Sequence, residues 1–308
     1  MSKNHEITRK VARARLIEFI TQTQWYHTLE LLPGVSTSGT YNHNPYLHLY
    51  GFPQSLQGYA VLDAGAGDGF FSFEFERRGA SRVQAIDTNK FDGSPAISPS
   101  PSHLNSYQKK YHSYYETNVK FSDVYNALGV PCGHQFMAAK ALLNSSVDYR
   151  NISVYDLSSL DTQYDFVFCG DLIEHLKNPL FALENLAAVT KKQCIISLSS
   201  VPPAASNTFN SPLKKFSHLK TILLRFIEKS SGISPQLDTQ RAVLYYGNDS
   251  GGSFFHFYPE AFRQALLAAG FSRVDVYSHF YLPNLKYGTN NLHVIYHCYM
   301  ESEKAKIA

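Results

Sequence analysis

The sequence predicts an α/β fold built on a largely parallel, doubly wound sheet with helices on both faces, and three observations predict it. The run Val61-Leu62-Asp63-Ala64-Gly65-Ala66-Gly67-Asp68-Gly69-Phe70-Phe71 reads as a short apolar strand, a glycine-rich turn and a helix start. About twenty residues further on, a second strand, Arg82 to Ile86, ends in Asp87, where such sheets place an acceptor for ribose hydroxyls. Tyr164-Asp165-Phe166-Val167-Phe168-Cys169 is a buried-strand run turned by Gly170 and Asp171.

Taken in order, Ile7, Val11, Ala14 and Ile17, with Leu16, Phe19 and Ile20 beside them, space as one face of a helix over residues 5–24. Arg9, Lys10, Arg13 and Arg15 lie outside that stripe, as a phosphate grip or a solvated face. The stretch from Trp25-Tyr26-His27-Thr28 to Ser38-Gly39-Thr40-Tyr41 is either a packing strap across the core or a lid whose Trp25 and His27 cover a cofactor. Residues 1–57 are assigned to this N-terminal extension, 58–300 to the main domain and 301–308 to a tail.

Within the main domain, strands are expected near 60–63, 82–86, 151–155, 165–169 and 193–198, then at Arg273–Ser278 and Leu292–Cys298. Phe71 to Arg78, Phe181 to Val189 and Glu260 to Ala269 read as helices between them; the last has Pro259 at its first turn and Gly270 just past its end. Two insertions, about 91–132 and 201–253, are expected to cap the site. The first passes from a Ser/Pro-rich stretch into Lys109-Lys110-Tyr111-His112-Ser113-Tyr114-Tyr115, suited to stacking bases or to closing a small-molecule pocket. The second holds an amphipathic stretch, Leu213 to Ser230, expected over the acceptor site.

Spacing in the glycine turn selects the ligand. Dinucleotide loops read G-x-G-x-x-G, whereas here Gly65, Gly67 and Gly69 alternate and Phe70 fills the slot of the third glycine. Asp63 and Asp68 flank the turn; carboxylates repel a pyrophosphate but favour a sulfonium and an α-amino group. That points to S-adenosylmethionine (SAM), and Phe70 opposes a nicotinamide oxidoreductase. Ser153-Val154-Tyr155-Asp156-Leu157 reads as a short strand ending in an acid, with Asp156 as a helix N-cap the alternative. The expected cofactor set is Asp63, Gly65, Gly67, Asp68, Asp87, Thr88, Asp156, Leu157, Gly170, Asp171, Trp25 and His27.

The glycine run resembles motif I of the class I SAM-dependent methyltransferases, Asp87 resembles their ribose-binding acid, and Cys169 to Pro179 resembles their motif IV. The resemblance implies a Rossmann-like, seven-stranded sheet, with Asp156 near the adenine. Trp25-Tyr26-His27-Thr28 with Pro33-Gly34-Val35, Leu62 to Phe73, Cys169 to Pro179, and Phe257-Tyr258-Pro259 with Phe271 together resemble the branch labelled tRNA wobble-uridine (mo5U34) methyltransferase-like. The chain departs from that branch where Glu174 precedes His175: the tRNA enzyme has a tyrosine there that contributes to recognition of a carboxylated SAM. A carboxylate at that place repels such a ligand, and Trp25 to Gly39 contains no lysine to grip its carboxylate. Ordinary SAM is therefore expected. Members of the branch with such changes look like methyltransferases acting on small molecules or sugars.

The expected reaction is methyl transfer to oxygen or nitrogen of a small-molecule acceptor, a natural product or sugar, with His175 or His256 as general base and Glu174 beside them. A tRNA wobble-uridine methyltransferase and a non-catalytic SAM-binding protein are the alternatives. Composition agrees with either enzyme. At 308 residues and 44% hydrophobic the chain can bury one large core, while a net charge of +3 neither demands nor excludes nucleic acid. Tyr and Phe, at 21 each, suit an enclosed stacking pocket. Cys132, Cys169, Cys194 and Cys298 show no C-x-x-C spacing, and no metal frame accompanies the 13 histidines. Neither a signal peptide nor a membrane span is readable, so a cytoplasmic location without a membrane partner is expected; oligomeric state does not follow.

Overall fold

The computed structural model describes residues 11–88, 120–199, 243–250 and 253–301. The strands are β1 (Trp25–His27), β2 (Glu30–Leu32), β3 (Val35–Ser36), β4 (Gly39–Tyr41), β5 (Ala60–Ala64), β6 (Arg82–Asp87), β7 (Asp148–Asn151), β8 (Tyr164–Gly170), β9 (Thr190–Leu198), β10 (Val243–Ser250), β11 (Ser253–Phe257), β12 (Arg273–Asn284) and β13 (Thr289–Tyr299). The α-helices are α1 (Arg13–Gln22), α2 (Phe70–Arg77), α3 (Ser122–Leu128), α4 (Gln135–Leu143), α5 (Pro179–Val189) and α6 (Pro259–Ala268).

One large sheet runs in the order β1-β4-β12-β13-β9-β8-β5-β6-β7. From β9 to β7 every pairing is parallel, and β13 inserts antiparallel between β9 and β12. The sheet has nine strands where seven were expected. The difference lies in the N-terminal segment: β1 pairs with β4 and Tyr41 meets Asn284 of β12, which extends the sheet beyond its expected edge.

Alternation along the strands feeds two cores, because successive side chains point to opposite faces. Val61, Phe166, Phe168, Ile195 and Ile295 pack with residues of α1, α2, α3 and α4. Leu62, Val167, Cys169, Cys194, Ile196, Val294 and Tyr296 pack on the other face with residues of α5 and α6. α2 begins at Gly69, whose φ of +95° and a Cβ position only 2.5 Å from the Phe73 ring both require glycine.

Two expected elements differ. The strand placed at 151–155 is β7, and residues Val154–Leu160 form a 3₁₀ turn. Ser153 starts that turn, its hydroxyl accepting from the Tyr155 N–H at 3.2 Å, so Asp156 is neither strand end nor cap. The end of the first insertion is α3, fastened by the buried Phe121, Val124 and Tyr125; Phe19 of α1 meets Phe121 and Tyr125 edge-on. The second insertion ends in the hairpin β10–β11. Arg9, Lys10, the Lys109 to Tyr115 stretch, the Leu213 to Ser230 stretch and the tail from 302 lie outside the described residues. Among the described residues no helix is long and apolar enough to cross a membrane.

Candidate functional site

The carboxyl ends of β5, β6, β8 and β9 bring the chemistry-bearing residues to one edge of the sheet, the place where doubly wound sheets bind ligands. The glycine loop is tied down from below. The N–H groups of Gly65 and Ala66 both reach the Ile86 carbonyl, at 2.9 and 3.1 Å, and Gly69 N–H closes on the Ala66 carbonyl at 2.9 Å. Gly67 N–H donates to Asp87 Oδ2 at 2.8 Å, so the strand-end acid and the loop form one unit, with Thr88 exposed beside it. Gly65, Gly67 and Gly69 all hold positive φ, at +82°, +57° and +95°. A Cβ at Gly67 would meet only His27 Cε1, at 3.7 Å, so that point of the loop is open to a ligand.

Asp63 lies beneath the loop at 1% exposure and accepts from Ser72 Oγ of α2. Burial pushes its carboxyl up to about 7 against the pull of Ser72 and His27, with the charge of Asp87 adding to the rise.

Asp68, expected in the cofactor set, is held by the N-terminal segment. Its Oδ2 accepts the N–H groups of Tyr26 and His27, each at 2.9 Å, and its Oδ1 meets His27 Nδ1. The carboxylate is therefore the clasp between the glycine loop and β1. Trp25, expected in the same set, is 1% exposed and packs edge-on against Phe19 of α1. His27 reaches over the loop at Gly67, its ring stacked on Phe70 at 5.4 Å between centres.

Gly170 is required by its surroundings, since a Cβ there would lie 2.9 Å from the Phe168 ring. Glu174 is wholly buried, and its Oε1 accepts the N–H of Ser199 at 3.0 Å and its hydroxyl at 2.6 Å. These bonds fasten the turn after β8 to the end of β9. His256 lies on β11 and His175 on the turn after β8: His175 Nδ1 is 3.5 Å from Ser253 Oγ of β11, and burial lowers the His256 imidazole against the opposing charge of Glu174. Leu157 is fully buried in the second core and Asp156 is exposed on the 3₁₀ turn.

Two buried histidines, His43 and His293, escaped the sequence reading; they link residues it named into one row. It runs from Asp68 through His27, His43 and His293 to Asp171. The His27 and His43 rings are 5.0 Å apart and those of His43 and His293 6.4 Å. Tyr50 OH meets His43 Nδ1 at 2.8 Å. Burial, reinforced by His27 and His293, drives His43 well below the usual imidazole range, so it stands neutral. Burial alone would raise the Asp171 carboxyl, but His293, Ser197 and His43 outweigh it and hold it at about 2. One signal was present in the sequence: His293 interrupts the apolar run of a central strand, and a polar residue buried there needs a partner. His43, in the turn-rich stretch Tyr41-Asn42-His43-Asn44-Pro45, carries no such signal.

Of the basic residues expected outside the apolar stripe of the first helix, Arg15 is engaged in a network. It pairs with Asp123 and Glu18, donates to the Lys120 carbonyl and lies over the Phe121 ring, which ties α1 to α3. Among the described residues no group of His, Cys, Asp and Glu is arranged to hold a metal ion.

A sequence model of the methyltransferase domain family matches residues 44–276. No curated protein matches the chain. Among solved structures, the N-terminal domain of EvdMO1 with SAH bound is similar at a TM-score of 0.53 and 15% identity, covering 98% of each chain. The same domain in the presence of SAH and D-fucose gives 0.52, again at 15% identity and 98% of each chain. At that identity the likeness is one of fold.

Proposed function

The chain belongs to the methyltransferase domain family, and from that premise we propose that it transfers a methyl group from SAM to oxygen or nitrogen of a small-molecule acceptor. The observation that carries the cofactor reading is the unit formed by Asp87, the open Gly67 and the buried Asp63. In this reading Asp87 takes the ribose hydroxyls, the Gly65–Gly69 loop lies along the nucleoside, and Asp63 faces the α-amino group. Gly170 leaves room at the mouth of β8, and Thr88, Asp156 and Leu157 flank the adenine side. When bound, SAM supplies a methyl group on a positively charged sulfur. The chain's own contribution is alignment and exclusion of water, and alignment alone is worth about 7–11 kcal/mol.

A small acceptor is favoured over tRNA by what surrounds the loop. His27, His43, Tyr50, Phe70, Phe71 and His293 are all buried, which suits an enclosed pocket. Arg15, one of the four basic N-terminal residues that would meet phosphates, is engaged by two carboxylates. The EvdMO1 domain obtained with D-fucose makes a sugar hydroxyl a reasonable first acceptor to test. Residues 1–57 act here as part of the site, through β1 and His27.

The test is label transfer. Purified protein, methyl-labelled SAM and an extract fractionated into RNA, protein and small molecules are expected to give label in the small-molecule fraction, insensitive to added salt. Label in RNA that falls steeply with salt would return the tRNA reading.

A further inference from the structure

Five features converge on His293. It sits on β13, a strand interior to the sheet, and is 2% exposed. Its ring stacks on Phe280, with centres 5.6 Å apart and planes 11° from parallel, and the edge-on His43 lies near it, so its orientation is fixed. Its Nδ1 lies 3.2 Å from Asp171 Oδ2, while the other oxygen of Asp171 accepts from Ser197 Oγ at 2.7 Å. Asp171 holds this position with φ +48°, a left-handed conformation unfavourable for a non-glycine residue, and such strain concentrates at functional sites. Finally, His293 Nε2 is buried and meets no protein donor or acceptor among the described residues.

The tautomer follows from these contacts. An ionised carboxylate only accepts, so in the uncharged form of the ring the proton stands on Nδ1 and the lone pair on Nε2. A buried lone pair without a donor is a rare and unfavourable arrangement in a folded protein. An acceptor hydroxyl or amine N–H supplies the donor that the protein does not.

We propose that His293 is the general base of this site, held in its tautomer by Asp171 and Ser197; the proposal rests on the methyltransferase reading above. The acceptor's O–H or N–H bond breaks and its proton moves to Nε2. The electron pair so released forms the bond to the methyl carbon, whose former bonding pair stays with sulfur. The ring ends as an imidazolium facing Asp171, the same division of labour that orients histidine bases in hydrolytic triads. Asp171 and Ser197 are positioning residues, and in this proposal the base is His293 in place of His175 or His256, the two expected from sequence.

Two measurements test this. With methyl-labelled SAM and the small-molecule fraction of an extract as probe, His293→Gln is expected to lower transfer about 10²–10⁴-fold while leaving calorimetric affinity for S-adenosylhomocysteine unchanged. Transfer at the wild-type rate by His293→Gln overturns the proposal; no transfer by the wild type overturns the reading on which it rests. Independently of turnover, long-range ¹H–¹⁵N spectra of the histidine-labelled protein are expected to show His293 protonated on Nδ1 and bare on Nε2, and Asp171→Asn is expected to reverse this. A proton on Nε2 in the wild type overturns the proposal even where the variants fail to fold.

Discussion

Asp68 and His27 are joined by two contacts, with a third to Tyr26 beside them: one Asp68 oxygen accepts the backbone N–H groups of Tyr26 and His27, and the other meets the His27 ring. The glycine loop and the first strand of the sheet are therefore a single mechanical unit. Removing the carboxylate leaves two buried N–H groups and a buried imidazole without their acceptor. Asp68→Ala is expected to lose about 3–5 kcal/mol of unfolding free energy in urea, with faster amide exchange across residues 25–41. Wild-type exchange rates in that segment would show that the clasp does not hold it.

Asp63 gives a pH dependence of definite sign. Its carboxyl is pushed up to about 7 in the folded protein from an ordinary value of 3.8, so the folded state holds the proton more tightly than the unfolded chain. The associated stability is present below pH 3.8 and is lost as pH rises to about 7, a change of about 4 kcal/mol. Asp63→Asn, which has no proton to lose, is therefore expected to gain stability relative to the wild type across that range, read from urea midpoints.

The same carboxyl couples to the ligand. A bound ammonium favours the ionised form, so SAM binding near neutral pH is expected to release a proton from Asp63. Calorimetric binding enthalpies in two buffers of different ionisation heat should differ for the wild type and coincide for Asp63→Asn. Coincidence in the wild type would place the amino group elsewhere.

The loop glycines should separate stability from binding. Gly67→Ala meets only the unfavourable backbone conformation, about 1–2 kcal/mol, because a Cβ there has room. Gly69→Ala carries that and a Cβ 2.5 Å from the Phe73 ring, and is expected to be the more destabilised of the two in thermal or urea melts. Asp87→Ala removes the acceptor for Gly67 N–H and for the ribose; SAM affinity is expected to fall about 10–100-fold by calorimetry, with the protein still folded.

Thiol chemistry checks the sheet. Burial raises Cys169, Cys194 and Cys298, all in buried strands, and leaves Cys132 only partly covered. In the native protein a colorimetric disulfide reagent is expected to find Cys132 alone, the other three reacting only as the protein unfolds.

The parts of the fold legible in the sequence are those that carry their own pattern. β5, β6, β8 and β9 announce themselves as apolar runs because both of their faces are buried. β7 is an edge strand, Asp148-Tyr149-Arg150-Asn151, held by its pairing with β6, so the more strand-like Ser153-Val154-Tyr155 drew the assignment instead. β1 and β4 are three residues each, too short for any period to show. In the site, the glycines, Asp63 and Asp87 follow from spacing along the chain. The turn of Asp68 toward β1, and the meeting of His27, His43 and His293, depend on contacts between residues far apart in sequence, which no local pattern encodes.

β13 is the last strand of the sheet in sequence and yet lies inside it, between β9 and β12. Until it docks, β9 has an unpaired flank, and the two-sided apolar surface of Cys194, Ile195, Ile196 and Leu198 is open to misassociation. His293 rides on that same strand. Closing the sheet and completing the histidine row are therefore one event: a half-assembled chain lacks the group proposed to deprotonate its acceptor, and competence for chemistry reports directly on completed folding.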